Sequence, residues 1–225
     1  MQYFPAFLDL RGRACLVVGA GQVGRRKIAR LLECQPARIR IVDPHLPEGL
    51  EAELSERPGI ELCRRPFRPG DLDGTHLVFA GTSDAETNAE ISRLCGEQGI
   101  FCNIADQPEQ CSFIVPALVQ RDDLLIAVST QGASPALARK IRAELQERYG
   151  PAYAAWLTLL RCLRPVVINL GLSATTNRDI FRELTDETIL SHIQAGDRDG
   201  VQRLLRHSLP PEAHSHIEDC LHELF

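Results

Sequence analysis

The hexapeptide "GAGQVG" sets Gly19, Gly21 and Gly24 in a G-x-G-x-x-G pattern. That spacing suits a phosphate cradle. The first glycine permits a tight turn, the second lets the backbone approach an anion, and the third lets a helix pack closely on a sheet. Gln22 and Val23 complete the loop, and the helix they open turns its free N–H groups toward a pyrophosphate. Asp43 ends the next apolar run about 20 residues further on, the usual place for a carboxylate that accepts ribose hydroxyls. It would repel a 2′-phosphate, which favours NAD over NADP. The competing reading is a glycine turn with no ligand.

A second carboxylate stands in "IFCNIADQPEQCSFIVPA", where Asp106 separates two apolar runs. It can serve as a proton acceptor at the end of a strand, or it can cap the turn that "ADQPEQ" encodes; the residues leave both open. In "GTSD" (81–84), Thr82 and Ser83 either line the cofactor or satisfy the start of the following helix. Arg139 and Arg142 lie three apart on one helix face, with Lys140 beside them, a spacing that suits carboxylates of a ligand. An ordinary solvated face, neutralised by Glu144 and Glu147, is the alternative. The tail carries His207, His214, His216, Cys220 and His222, but without zinc-ligand spacing. Solvated histidines and no metal site are expected there, while Tyr153 and Trp156 read as core.

Alternating strand and helix patterns position these groups. "RACLVVG" (13–19), "ARIRIVD" (37–43), "THLVFAGTSD" (75–84) and "IFCNIAD" (100–106) are apolar runs of strand length, and helical spacing follows the first and third. Strand alternating with helix implies a parallel sheet covered on both faces. After about residue 113 the pattern changes to a hairpin, "SFIVPALVQRDDLLIAVST". A helix follows, with Ser134 as N-cap and Pro135 at its first position. From 151 onward "AYAAWLTLLRCLRPVVINLGL", "RDIFRELTDETILSHIQAGD" and "RDGVQRLLRHSL" read as helices. The expected class is α/β: a Rossmann-like parallel sheet domain (1–113), a small β–α segment (114–150) and a helical C-terminal domain (151–225).

Composition narrows the function. A net charge of −5 provides no basic field for nucleic acid, and no apolar window has the length of a membrane span. The N-terminus lacks a charged start followed by a long apolar core, so no secretory leader is expected. The eight cysteines include no C-x-x-C pair; reduced thiols in a cytoplasmic protein are expected.

With these pieces placed, the chain resembles the precorrin-2 dehydrogenase family, the N-terminal module of siroheme synthases. The resemblance rests on "YFPAFLDLRGRACLVVGAGQVGRRK", "CNIADQPEQCSFIVPALVQR" and "LIAVSTQGASPALARKIR", and it becomes diffuse beyond 150. It implies NAD-dependent oxidation of precorrin-2 to sirohydrochlorin, with ferrous iron insertion in some members. It also implies a homodimer formed through the 114–150 segment, which helps roof the active site. Asp106 matches the family's functional aspartate and Asn103 a structural position. "STQGASP" (129–135) matches a substrate-adjacent loop, which assigns Thr130 and Ser134 to substrate binding together with Arg139 and Arg142. Thr130 replaces a serine that is modified in some members. The methyltransferase module fused to some bacterial members is expected to be absent. Two other classes compete: a nucleotide-sensing module of the kind that regulates potassium transport, and an ordinary dehydrogenase of small metabolites. The first does not require the 102–121 and 125–142 motifs, and the second would normally need a larger substrate domain than the 75 residues after 150.

Overall fold

The computed structural model describes residues 3–225; Met1 and Gln2, part of the stretch read for a leader, lie outside the described residues. The chain divides into two compact units, one running to Val115 and the other from Pro116 to Phe225.

The first unit holds a parallel sheet of β1 (Ala14–Val18), β2 (Arg38–Val42), β3 (Ile60–Cys63), β4 (Leu77–Ala80) and β5 (Phe101–Ile104), in the order β3-β2-β1-β4-β5. Strand order reverses between β1 and β4, where Val17 pairs with Phe79 on one side and Ile41 on the other. Sheets of this kind bind ligands at such a switch point, beyond the carboxyl ends of the strands. One face, with Val17, Ile39, Ile41 and Phe79, packs under α1 (Gln22–Glu33) and α2 (Glu48–Leu54). The other, with Leu16, Val18, Val78 and Ile104, packs under α3 (Ala85–Gln98). Burial on both faces is why β1 and β4 read as unbroken apolar runs. Asp84 caps α3 by accepting from the N–H groups of Glu86 and Thr87, and Gly99, in the left-handed region, ends it.

The sequence reading left residues 44–74 without elements, yet α2 and β3 lie there. Asp71 anchors the return to β4. It is almost fully buried, accepts two bonds from the Arg65 guanidinium at 2.6 and 2.8 Å, and accepts a third from the Arg68 N–H. The Arg65 fork holds its carboxyl below the usual carboxylate range against the opposing effect of burial.

In the second unit, β6 (Ala117–Arg121) and β7 (Leu124–Val128) form the expected antiparallel hairpin. α4 (Pro135–Arg148) packs on it, and Ser134 caps α4 through a 3.2 Å bond from the Leu137 N–H. Five helices follow: α5 (Ala152–Asn169), α6 (Ala174–Glu183), α7 (Glu187–Gln194), α8 (Arg198–Ser208) and α9 (Ile217–His222). The segment "RDIFRELTDETILSHIQAGD", read as one helix, is two. Asp186 accepts from the Thr188 N–H at 2.8 Å and starts α7 afresh. Trp156 is core as expected, its Nε1–H donating to the Leu184 carbonyl at 3.1 Å.

One expectation about the tail is refined and one about the cysteines is corrected. His207, His216 and His222 are exposed as expected, but the segment that carries them is anchored: Ala213, Ile217, Cys220 and Leu221 are buried in the helical core, and the His214 ring meets the Leu209 carbonyl at 2.9 Å. The thiols are not all reduced. Cys162 on α5 and Cys220 on α9 form a disulfide across 58 residues, while Cys15, Cys34, Cys63, Cys95, Cys102 and Cys111 are free. α5 and α9 pack directly against each other, which brings two sequence-distant cysteines within bonding reach, a juxtaposition that spacing alone does not reveal.

Candidate functional site

The glycine loop fits its sequence pattern for steric reasons. Gly19 has φ +92°, and a Cβ there would stand 2.6 Å from the Gly81 carbonyl oxygen. A Cβ on Gly24 would stand 1.9 Å from the Gly19 carbonyl oxygen, so only glycine lets α1 begin this close to β1. Gly21, by contrast, has nothing within 4 Å of where its Cβ would lie. As N-cap of α1 it provides no side-chain acceptor, and the first turn contains no acidic residue. The N–H groups at Gln22 and Val23 therefore remain available to an anion, and the helix dipole favours negative charge there.

Asp43 stands just beyond β2 and bridges two loops. One carboxylate oxygen accepts from the Ala20 N–H at 2.6 Å, within the glycine loop, and the other from the His45 N–H at 2.7 Å. A carboxylate has about four acceptor positions, so these bonds fix its orientation and still leave capacity for ribose hydroxyls. Thr82 is engaged at the start of α3, donating to the buried Asn88 Oδ1 at 2.9 Å and accepting from the Asp84 N–H at 3.2 Å. Ser83 is exposed beside it.

Asp106 follows β5 in a turn with φ +58° and is exposed. The carboxylate makes no hydrogen bond or ion pair with the described residues, so the capping alternative finds no partner. The turn is held instead by Cys111. Its sulfur accepts from the Ile104 N–H at 3.1 Å, and the thiol lies 3.3 Å from the carbonyl oxygens of Ile104 and Gln107. Asn103 donates to the Phe113 carbonyl at 3.0 Å, and Ser112 accepts from the Cys102 N–H at 2.7 Å. The segment after the turn is thus sewn back onto β5, which leaves Asp106 at its apex.

Asp43 and Asp106 lie on opposite sides of the switch point, since β2 and β5 flank β1 and β4. Between them the structure gathers Gly19, Gly24, Lys27, Phe79, Asn103 and Ala105 around one crevice. Sequence reasoning singled out neither Lys27 nor Cys111. Lys27 is one of only two lysines among 25 basic residues, a signal that was there to be read. Cys111 offered none, because its role depends on the fold of the turn.

The candidate substrate residues of the second unit serve the loop before α4. Thr130 Oγ1 accepts from the Ser134 N–H and donates to the Ser134 carbonyl, both at 3.1 Å. Arg139 is exposed and leans on the Pro135 carbonyl, while Arg142 bonds the Gln146 side chain. Neither pairs with Glu144 or Glu147 among the described residues, so both guanidiniums keep their charge uncompensated. No group of three or more His, Cys, Asp or Glu side chains is gathered for a metal ion among the described residues.

Comparison with known proteins places these features in context. Residues 6–117 match the family described as "Putative NAD(P)-binding", and residues 121–148 match the family described as "Sirohaem biosynthesis protein central". A siroheme synthase of Thioalkalivibrio sulfidiphilus is 36% identical over 209 residues, 93% of this chain and 42% of that protein. A siroheme synthase of Pseudomonas paraeruginosa is 39% identical over 209 residues, 93% of this chain and 44% of that protein. The chain therefore spans less than half the length of these relatives. Among solved structures, SirC, precorrin-2 dehydrogenase, has the same fold, with a TM-score of 0.75 at 24% identity, over 91% of this chain and 100% of that one.

Proposed function

The chain belongs to the siroheme synthase and precorrin-2 dehydrogenase family, and we propose that it oxidises precorrin-2 to sirohydrochlorin with NAD as hydride acceptor. The observation that carries this reading is the Asp106 carboxylate: exposed, without a partner, and held at the apex of a turn where β5 meets the ligand edge of the sheet. The match of residues 121–148 to the central sirohaem-biosynthesis family weighs against a nucleotide-sensing module, which has no use for that segment.

The residues present fit a dinucleotide. Gly19 and Gly24 let the loop turn and α1 start close against β1, Gly21 keeps the space before the helix open, the uncapped start of α1 receives the pyrophosphate, and Asp43 receives the ribose hydroxyls. When bound, NAD supplies a hydride acceptor. Oxidation of the substrate also releases a proton, and Asp106 takes it, directly or through a water molecule. Thr130, Ser134, Arg139 and Arg142 bind carboxylates of the substrate, the two guanidiniums as charge-assisted donors. The active form is a homodimer, a reading supported by the exposed Leu125 on β7 and Leu137 on α4, and a cytoplasmic location goes with the family resemblance. No helix among the described residues is long and apolar enough to cross a membrane.

The test is anaerobic incubation of the full chain with precorrin-2 and NAD, following sirohydrochlorin and NADH absorbance. Wild type forms both products. Asp106→Asn keeps the left-handed turn, binds NAD with unchanged affinity, and loses about 100-fold or more in kcat, the usual contribution of a positioned base. An equally active Asp106→Asn protein would remove the proposed base. Tight NAD binding without product from wild type would replace the dehydrogenase by the sensing module.

A further inference from the structure

Lys27 lies on α1 beyond its first turn, on the side that faces β4 and β5. Its ammonium sits 5.1 Å from the centroid of the Phe79 ring and lines the crevice with Asn103 and Ala105. It forms no ion pair with a carboxylate among the described residues. Burial is the main influence on it, assisted by the neighbouring Arg26 charge, and together they hold the amine below the ordinary lysine range. A half-buried cation beside an aromatic face and without a counter-ion is an incomplete arrangement, and an anion completes it.

The crevice that Lys27 lines is shared with the glycine loop, through Gly19, Val23 and Gly24. The pyrophosphate is served by the start of α1, and the ribose by Asp43 across β1. Lys27 also shares the crevice with Asn103 and with Ala105, which directly precedes Asp106. The residue type is itself informative. The chain uses arginine at 23 of its 25 basic positions, so a lysine here departs from its habit. An ammonium is a compact point charge on a flexible stem, whereas a guanidinium is a broad planar fork. A narrow crevice between α1 and β4 admits the first more readily.

We propose that Lys27 binds the substrate, its ammonium holding one carboxylate of the tetrapyrrole against the α1 face of β4 and β5. This rests on the precorrin-2 reading, since that substrate is a polycarboxylate whose macrocycle must be fixed relative to Asp106.

Two measurements on the full chain test it. In the first, wild type is labelled with a lysine-selective reagent and the extent at each lysine is read by mass spectrometry. Lys27 and Lys140 are the only lysine side chains, so the Lys27 peptide is read without ambiguity, and the N-terminal amine serves as the internal control. Sirohydrochlorin protects Lys27 several-fold, and NAD alone does not. In the second, Lys27→Met raises KM for precorrin-2 roughly tenfold or more, as expected for loss of a charge-assisted bond. It leaves the Kd for NAD unchanged, and Lys27→Arg recovers part of the loss.

Unchanged KM in Lys27→Met would overturn the proposal, as would a defect confined to NAD binding, which would assign Lys27 to the cofactor. Should Lys27→Met fail to fold, the wild-type labelling decides: equal labelling with and without sirohydrochlorin overturns the assignment. A wild type that neither binds sirohydrochlorin nor turns over precorrin-2 would sink the dehydrogenase reading and this inference with it. An active wild type with an indifferent Lys27→Met variant would remove only the role of Lys27.

Discussion

Reducing the Cys162–Cys220 disulfide should weaken the second unit far more than the first. The bond closes a loop of 58 residues that contains α6, α7 and α8. In the chain-entropy description, a crosslink of that span removes about 14 cal/mol/K from the unfolded ensemble, or about 4 kcal/mol at 25 °C. Measured effects commonly fall short of that figure, so a loss of about 2–4 kcal/mol is expected. The single tryptophan makes this readable, because Trp156 is buried in the core of the second unit and bonded to Leu184. Urea unfolding followed by tryptophan fluorescence, with and without a thiol reductant, reports that unit. At an m-value of about 1.5 kcal/mol/M the midpoint should fall by roughly 1–3 M on reduction, with m little changed. Cys162→Ser should reproduce the shift without reductant, and reductant should not move it further. Coincident midpoints for the oxidised and reduced protein, in material whose disulfide is verified by mass spectrometry, would refute the loop-entropy argument.

Gly24→Ala should abolish NAD binding and lower Tm, because its methyl group would stand 1.9 Å from the Gly19 carbonyl oxygen and must push α1 off the sheet; calorimetric titration and a thermal melt measure both effects. Asp71→Asn should cost the first unit about 2–3 kcal/mol at neutral pH by weakening charge-assisted bonds to Arg65. Because the folded carboxyl of Asp71 titrates below its unfolded value of about 4, its contribution is complete above that pH and is lost as acid carries the solution down through the folded value. Amide hydrogen exchange of β2 and β4 should show wild type losing more protection than Asp71→Asn over that acid range.

The parts of the fold legible in sequence were those with an unambiguous period or a steric signature. β1 and β4 are apolar because both faces of the sheet are covered, and Gly19 and Gly24 are glycines because no other residue fits. β3 went unread because it is a short edge strand, "IELC", with every residue only half-buried and arginines directly after it. Asp71 illustrates a second limit. A buried carboxylate looks like any loop aspartate until Arg65 is seen folded back onto it. α9 spans six residues, too few for helical periodicity to register, and a 3-10 turn at Pro211–His216 introduces it. At the candidate site, Asp43 was singled out by motif spacing and Asp106 by the resemblance to the precorrin-2 dehydrogenase family. Lys27 was legible only as a rare lysine in an arginine-rich chain; its place beside Phe79 and without a carboxylate needs the fold.

The turn that presents Asp106 also bears on how this protein tolerates change. At φ +58° the backbone would be more at ease with glycine or asparagine than with aspartate, by up to about 1 kcal/mol. Selection for thermal resistance alone, as in a directed-evolution library scored on survival of heating, should therefore enrich glycine or asparagine at position 106. Those winners would be hardier proteins with the proposed base removed. Stability and turnover pull against each other at this one residue, so a screen intended to harden the enzyme must score sirohydrochlorin formation in every round.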